Sequence, residues 1–157
     1  MANTVKESAD ELIYIAENDI ISAMELLAGT HYPVDRKYNI ICFHITQAIE
    51  KFLKGYIIYN GSKIGKIHDL AYLHKVAASI DTSFSEIKNE CILLNMFTPN
   101  LKYSSKKVIT KQIMSEIIKS LQAICNFQPI KEMRDSLSKK YNYEIVAEIV
   151  SNQLSPN

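Results

Sequence analysis

The sequence predicts an all-α protein: an up-and-down helical bundle of about five core helices, followed by a C-terminal helical extension. Three observations predict it. Helix-length segments carry apolar residues at spacings of three and four, the period of an α-helix. No segment alternates apolar and polar residues for long enough to form a strand with one buried face. Gly and Pro number only four each, which leaves little room for long irregular regions.

The first helix is expected over about residues 4–28. Ile13, Ala16, Ile20, Ala23 and Leu27 make one tight apolar stripe. Thr4 followed by Glu7 fits a capping box, and Gly29 fits a C-terminal stop. Pro33 suits the first turn of a second helix that runs to about Tyr59, where Asn60 and Gly61 end it. Residues 61–66 read as a loop. A third helix is expected over 69–80, starting at the run Ile67-His68-Asp69-Leu70. Asp81, Thr82 and Ser83 break the chain and cap a fourth helix over 83–97, with Ile87, Cys91 and Leu94 on one face. A fifth helix over 106–127 has the seam Ile109, Ile113, Ile117, Leu121 and Ile124, and Gln128-Pro129 ends it. The tail reads as one short helix and a longer one over 143–154. The domain division is therefore 1–128 for the bundle and 129–157 for an extension packed on the same domain.

The chain has 157 residues, with 47% apolar and 22% charged, so one domain with a sizeable core is expected. A net charge of +1 does not announce a nucleic-acid partner by its overall field. The charges are unevenly placed. Residues 6–25 carry Glu7, Asp10, Glu11, Glu17, Asp19 and Glu25 against Lys6, whereas 102–119 carry Lys102, Lys106, Lys107, Lys111 and Lys119 against Glu116. These are two solvated faces, or two faces that pair with each other or with a partner of opposite charge. Cys42, Cys91 and Cys125 lack metal-ligand spacing and sit in apolar helical stretches, which predicts buried free thiols in a reducing compartment. The N-terminus lacks the apolar core of a signal peptide, and no apolar run reaches the length of a membrane span. The expected location is the cytoplasm, with no membrane partner. His68 and His74 lack a metal-binding neighbourhood, so no metal and no cofactor are expected.

The second helix carries the strongest functional signal. Ile41, Ile45, Ala48, Ile49, Phe52, Leu53 and Tyr56 share one broad arc. His44, Gln47, Lys51 and Lys54 occupy a sector about 80° wide beside it. An imidazole, an amide and two ammonium groups are hydrogen-bond donors suited to an anion. Asp19 sits at the edge of the first helix's stripe, where a carboxylate needs a partner. Lys51 or Lys54 is the natural one if the two helices are antiparallel neighbours. That pair fixes helix register, or it forms part of a polar cavity with His44 and Gln47. His44 is a satisfied core histidine, a base or a phosphate donor. Glu50 and Lys54 stand in the favourable i,i+4 order. Asp69 is a good N-cap, and His68 before it either belongs to that cap or leans over the second helix.

The run His44, Gln47, Ala48, Glu50, Lys51 and Lys54, then His68-Asp69-Leu70 and Leu73, resembles the second and third helices of the HEPN domain. Tyr14, Ala16, Asp19, Ala23 and Leu27 fit its first helix, and the resemblance covers about residues 5–127. It implies a nucleotide- or RNA-binding module, commonly a homodimer. Such proteins are commonly encoded beside a minimal nucleotidyltransferase, and the pair behaves as toxin and antitoxin. The ribonucleases of the superfamily carry an Arg, four to six residues, then a His. Here no His follows Arg134, and Arg36 precedes His44 with seven residues between, one too many, an excess that turns the pair by about 100° on a helix. Near the usual place for the arginine, this chain has Lys102-Tyr103, and Lys does not replace the bidentate contact of Arg. P-loop, dinucleotide, serine-hydrolase and HExxH motifs are missing too.

These observations predict a non-catalytic nucleotide- or RNA-binding module. Its phosphate-binding residues would be Asp19, His44, Gln47, Lys51, Lys54 and His68, with Lys102 and Tyr103. Two alternatives stand beside it. One is an interaction protein that uses Ile40, Phe43 and Ile57 on the exposed side of the second helix. The other is a ribonuclease with a non-standard site shared between two subunits.

Overall fold

A computed structural model describes residues 8–98 and 108–141. Its helices are α1 (Ala9–Ala28), α2 (Tyr38–Tyr59), α3 (Leu70–Ile80), α4 (Lys88–Asn95), α5 (Lys111–Asn126) and α6 (Gln128–Tyr141), with 3-10 turns at Val34–Lys37 and Thr82–Ile87. No strand occurs among the described residues, and the all-α bundle is as the sequence predicts. Each helix packs on the next, and α2 lies in the middle against α1, α3, α5 and α6. None of the helices searched is long and apolar enough to cross a membrane.

The α1–α2 contact is the most extensive. It is an antiparallel hairpin held at three levels. At one end Lys37 donates to the Gly29 carbonyl at 2.6 Å. In the middle Asp19 meets His44 and Lys51. At the other end Gly55 faces Ala9 and Ile13 so closely that an added Cβ would lie 2.6 Å from Ile13 Cδ1. A glycine in mid-helix costs about 1 kcal/mol in propensity, and here it lets two backbones approach.

Several helix ends differ from the sequence expectation. The N-cap of α1 is Ser8, in extended conformation and accepting from the Glu11 N–H, so the helix starts later than Thr4, which lies outside the described residues. Gly29 does end α1. The second helix begins as a 3-10 turn after Pro33, and Gly61 adopts φ +84° just beyond its end, a region glycine enters readily. Asp69 caps α3 by accepting from Ala71 and Tyr72. The fourth helix divides: Asp81 accepts from Ser83 N–H and opens a 3-10 stretch, and regular α4 starts only at Lys88. The hydrogen bonds from Ser83 hold the Asp81 carboxyl below the usual carboxylate range.

Thr110 caps α5, whose described start is thus later than expected. Ile117, Leu121 and Ile124 are buried along its seam, while Ile109 and Ile113 are only partly buried. Gln128-Pro129 does end α5's register, but it also opens α6: Phe127 turns extended, and Pro129 fits the first turn of the new helix. The expected helix at 143–154 lies outside the described residues.

The core is continuous from α1 to α6. Phe84, from the second 3-10 turn, stacks between Tyr56 and Phe127 at ring-centroid distances of 4.6 and 4.8 Å. Buried His74 donates from Nε2 to the Phe84 carbonyl at 2.7 Å. Cys42, Cys91 and Cys125 are free and buried, as expected. Burial pushes their thiols up to about 12, 12 and 11, so they are poor nucleophiles and weak metal ligands.

Candidate functional site

Helix α2 presents Gln47, Lys51 and Lys54 on successive turns of one side, and two polar clusters form along it. In the first, Asp19 of α1 accepts from Lys51 Nζ at 2.8 Å and from His44 Nδ1 at 3.1 Å. Lys51 Nζ also donates to Gln47 Oε1 at 3.3 Å. The carboxylate thus sets the His44 tautomer, with the proton on Nδ1. Lys51 rather than Lys54 is the partner of Asp19, because Lys51 faces α1 and Lys54 lies on the next turn toward the loop.

In the second cluster, Glu50 accepts from Lys54 Nζ at 3.4 Å and from His68 Nδ1 at 2.8 Å. Glu50 and Lys54 are nearly buried, and His68 is half-exposed. His68 therefore leans over α2 while its neighbour Asp69 caps α3. The acids of α1 do not reach α5 in any described ion pair: Asp19 goes to α2, and Glu17 and Asp10 go to Arg134 and Lys140 of α6.

A groove of about 790 Å³ opens beside these clusters. Leu12 of α1 forms one wall, and Glu50, Lys51, Lys54 and Ile58 of α2 form the floor. Residues 61–66 and His68 form the other wall. Lys51, Lys54 and His68 line it; Asp19, His44 and Gln47 stand behind Lys51 and orient it. Lys102 and Tyr103 lie outside the described residues.

Lys63 and Lys66 also line the groove and were not among the residues expected from the sequence. The signal for them was present: Gly61-Ser62-Lys63-Ile64-Gly65-Lys66 puts two cations in a glycine-bearing loop. Four ammonium groups therefore face one carboxylate, and that carboxylate is already engaged by Lys54 and His68. An ammonium has three donors. Lys51 uses two and Lys54 one within the protein, and Lys63 and Lys66 have no ion-pair partner among the described residues. Such a set can hold a polyanion. No group of His, Cys, Asp or Glu among the described residues could hold a metal ion.

The expected apolar face of α2 needs a correction. Ile40 and Phe43 are exposed, at 50% and 45%, but Ile57 is wholly buried. The chain after Gly61 folds back over the end of α2, with Ser62 N–H donating to the Ile57 carbonyl and Ile64 and Ile67 packed on the core. The C-terminal half of α2 is thereby covered on the side that its period leaves open. Arg36, on the 3-10 turn before α2, is exposed.

The most deeply buried charged pair among the described residues was also unexpected. Arg134 of α6 bonds both carboxylate oxygens of Glu17, the second at 2.9 Å, with the two side chains 1% and 2% exposed. It also lies over the Phe52 ring, 5.1 Å from its centroid. Glu17 falls within α1's apolar stripe, one turn after Ile13, and that position was the available signal.

No curated protein and no solved structure matches the chain. A family model does: the HEPN domain matches residues 9–133, from the first residue of α1 into α6. The match takes in Asp19, the polar side of α2 and the His68-Asp69 start of α3, so the chain belongs to the HEPN domain family, whose members are nucleotide- or RNA-related modules.

Proposed function

We propose that this protein is a non-catalytic HEPN module that binds a nucleotide or RNA by its phosphates in the groove beside α2. One observation carries the reading: Lys51, Lys54, Lys63 and Lys66 converge on a cavity whose one carboxylate is internally compensated. Asp19 and Gln47 hold the Lys51 ammonium in place before any ligand arrives, which lowers the ordering cost of binding. The same reading takes the protein as a cytoplasmic homodimer. It pairs with a minimal nucleotidyltransferase in a toxin–antitoxin-like system, as is common in the family. The missing Arg–His spacing supports a binding role over phosphodiester cleavage.

The test is calorimetric titration of ATP and GTP into wild type and into Lys51→Ala/Lys54→Ala. Each charge-assisted contact contributes about 1.5–3 kcal/mol, so the double variant should bind at least about a hundredfold more weakly. A thermal melt checks that it still folds. Unchanged affinity in a folded variant would remove this face of α2 from consideration.

A specific observation favours a protein–protein role as a second reading. Exposed Ile40 and Phe43 lie on α2, with Phe43 edge-on to the His44 ring. If this patch is the dimer contact, Ile40→Asp/Phe43→Asp should run as a monomer by light scattering while melting at the wild-type temperature. A variant that stays dimeric would exclude the patch.

A further inference from the structure

We propose that the groove reads the phosphate chain of its ligand and is indifferent to the base. Its ligand class is then the polyphosphates: nucleoside triphosphates of any base, and inorganic tripolyphosphate equally. The proposal rests on the reading of the groove as a phosphate site, and it narrows what that site recognises.

The first argument is the supply of donors. Besides the four ammonium groups, the loop offers its backbone. Gly61 and Ser62 N–H groups are spent on the Ile58 and Ile57 carbonyls, and Ile67 N–H on Gly65. The N–H groups of Lys63, Ile64, Gly65 and Lys66 have no hydrogen-bond partner among the described residues. Consecutive amides without a partner, flanked by lysines, are further donors available to a phosphate. Gly65 carries no side chain to screen them, and a Cβ there would meet nothing within 4 Å.

The second argument is what the lining lacks. Among the described lining residues there is no Phe, Tyr or Trp on which a base would stack. There is no Asn or Gln to read a base edge; Gln47 is spent on Lys51 and lies outside the lining. The apolar walls are Leu12, Ile58 and Ile64, which meet any base alike; the other polar side chains of the lining are Ser62, an exposed hydroxyl that can donate or accept and so suits any base, and His68, whose Nδ1 is held by Glu50. A site discriminates strongly when a wrong ligand leaves its buried polar groups unpaired. Nothing here would be left unpaired by exchanging adenine for uracil. The volume of about 790 Å³ is large enough for a triphosphate chain.

The experiment is calorimetric titration of the whole protein with ATP, GTP, CTP, UTP, adenosine, sodium tripolyphosphate and a short RNA at one fixed salt concentration. The four triphosphates should bind within about threefold of one another, tripolyphosphate should displace ATP, and adenosine should give no heat. Lys63→Ala/Lys66→Ala should weaken all the phosphate ligands together by roughly tenfold or more. Its melting temperature should not change, because both side chains are exposed and have no ion-pair partner among the described residues. A preference above about tenfold for one base, or failure of tripolyphosphate to displace ATP, would overturn base indifference and leave the phosphate site standing. So would RNA binding without tripolyphosphate binding. Wild-type affinity in the folded double variant would overturn the role of the loop. If no phosphate ligand binds the wild-type protein at all, the phosphate-site reading itself falls, and this proposal with it.

Discussion

Replacing Arg134 with methionine is expected to lower the free energy of unfolding by about 3–5 kcal/mol. The guanidinium is 1% exposed and bonds both oxygens of Glu17, itself 2% exposed. Removing it leaves a carboxylate away from water with its strongest partner gone. Arg134 also donates to the Cys125 carbonyl at 3.5 Å and covers Phe52, so packing is lost as well. Charge is nonetheless the larger part, and a second variant separates the two. Glu17→Leu/Arg134→Met removes both charges and keeps apolar volume, and replacement of a buried ion pair in this way is often near neutral. Urea unfolding should show most of the loss recovered. A double variant as unstable as Arg134→Met alone would assign the effect to packing.

Phe84→Ala should cost a similar amount, about 3–5 kcal/mol, by the usual range for a buried aromatic. The side chain is wholly buried, and its ring is gripped by Tyr56 from α2 and Phe127 from the α5–α6 junction. Those neighbours belong to helices fixed elsewhere, so they cannot collapse inward to fill the space. Phe84→Leu should lose only part of the stability, because most of the volume stays. Thermal denaturation of the pair gives the test, and an unshifted midpoint for Phe84→Ala would mean that the surrounding rings do close the gap.

The features legible in the sequence are those that depend on near neighbours. The stripe of α1, the end of α2 at Tyr59 and the cap of α3 by Asp69 follow from period and capping chemistry. The Asp19–Lys51 pair follows from one further step, that two consecutive helices joined by a short connection lie antiparallel. Features that depend on distant chain were not legible. The burial of Ile57 is decided by how residues 61–69 fold back, and α2's own period carries no trace of that. Lys63 and Lys66 face a groove that exists only once the loop is in place. The burial of Arg134 leaves no local trace because its partner lies 117 positions away. The 3-10 winding at Val34–Lys37, and at Thr82–Ile87 beyond the expected break at 81–83, is not legible either, since spacings of three suit both winding forms at short length.

That separation of 117 positions has a consequence in time. The α1–α2 hairpin is made of contacts close in sequence and has nearly all its register-setting pairs by the time Tyr59 is added. Glu17 does not. At roughly 5–20 residues per second of synthesis, its counter-charge arrives on the order of ten seconds after Glu17 itself. Until then the growing chain must keep that face of the hairpin open to water. The last described helix is therefore the one that licenses the first to become dry.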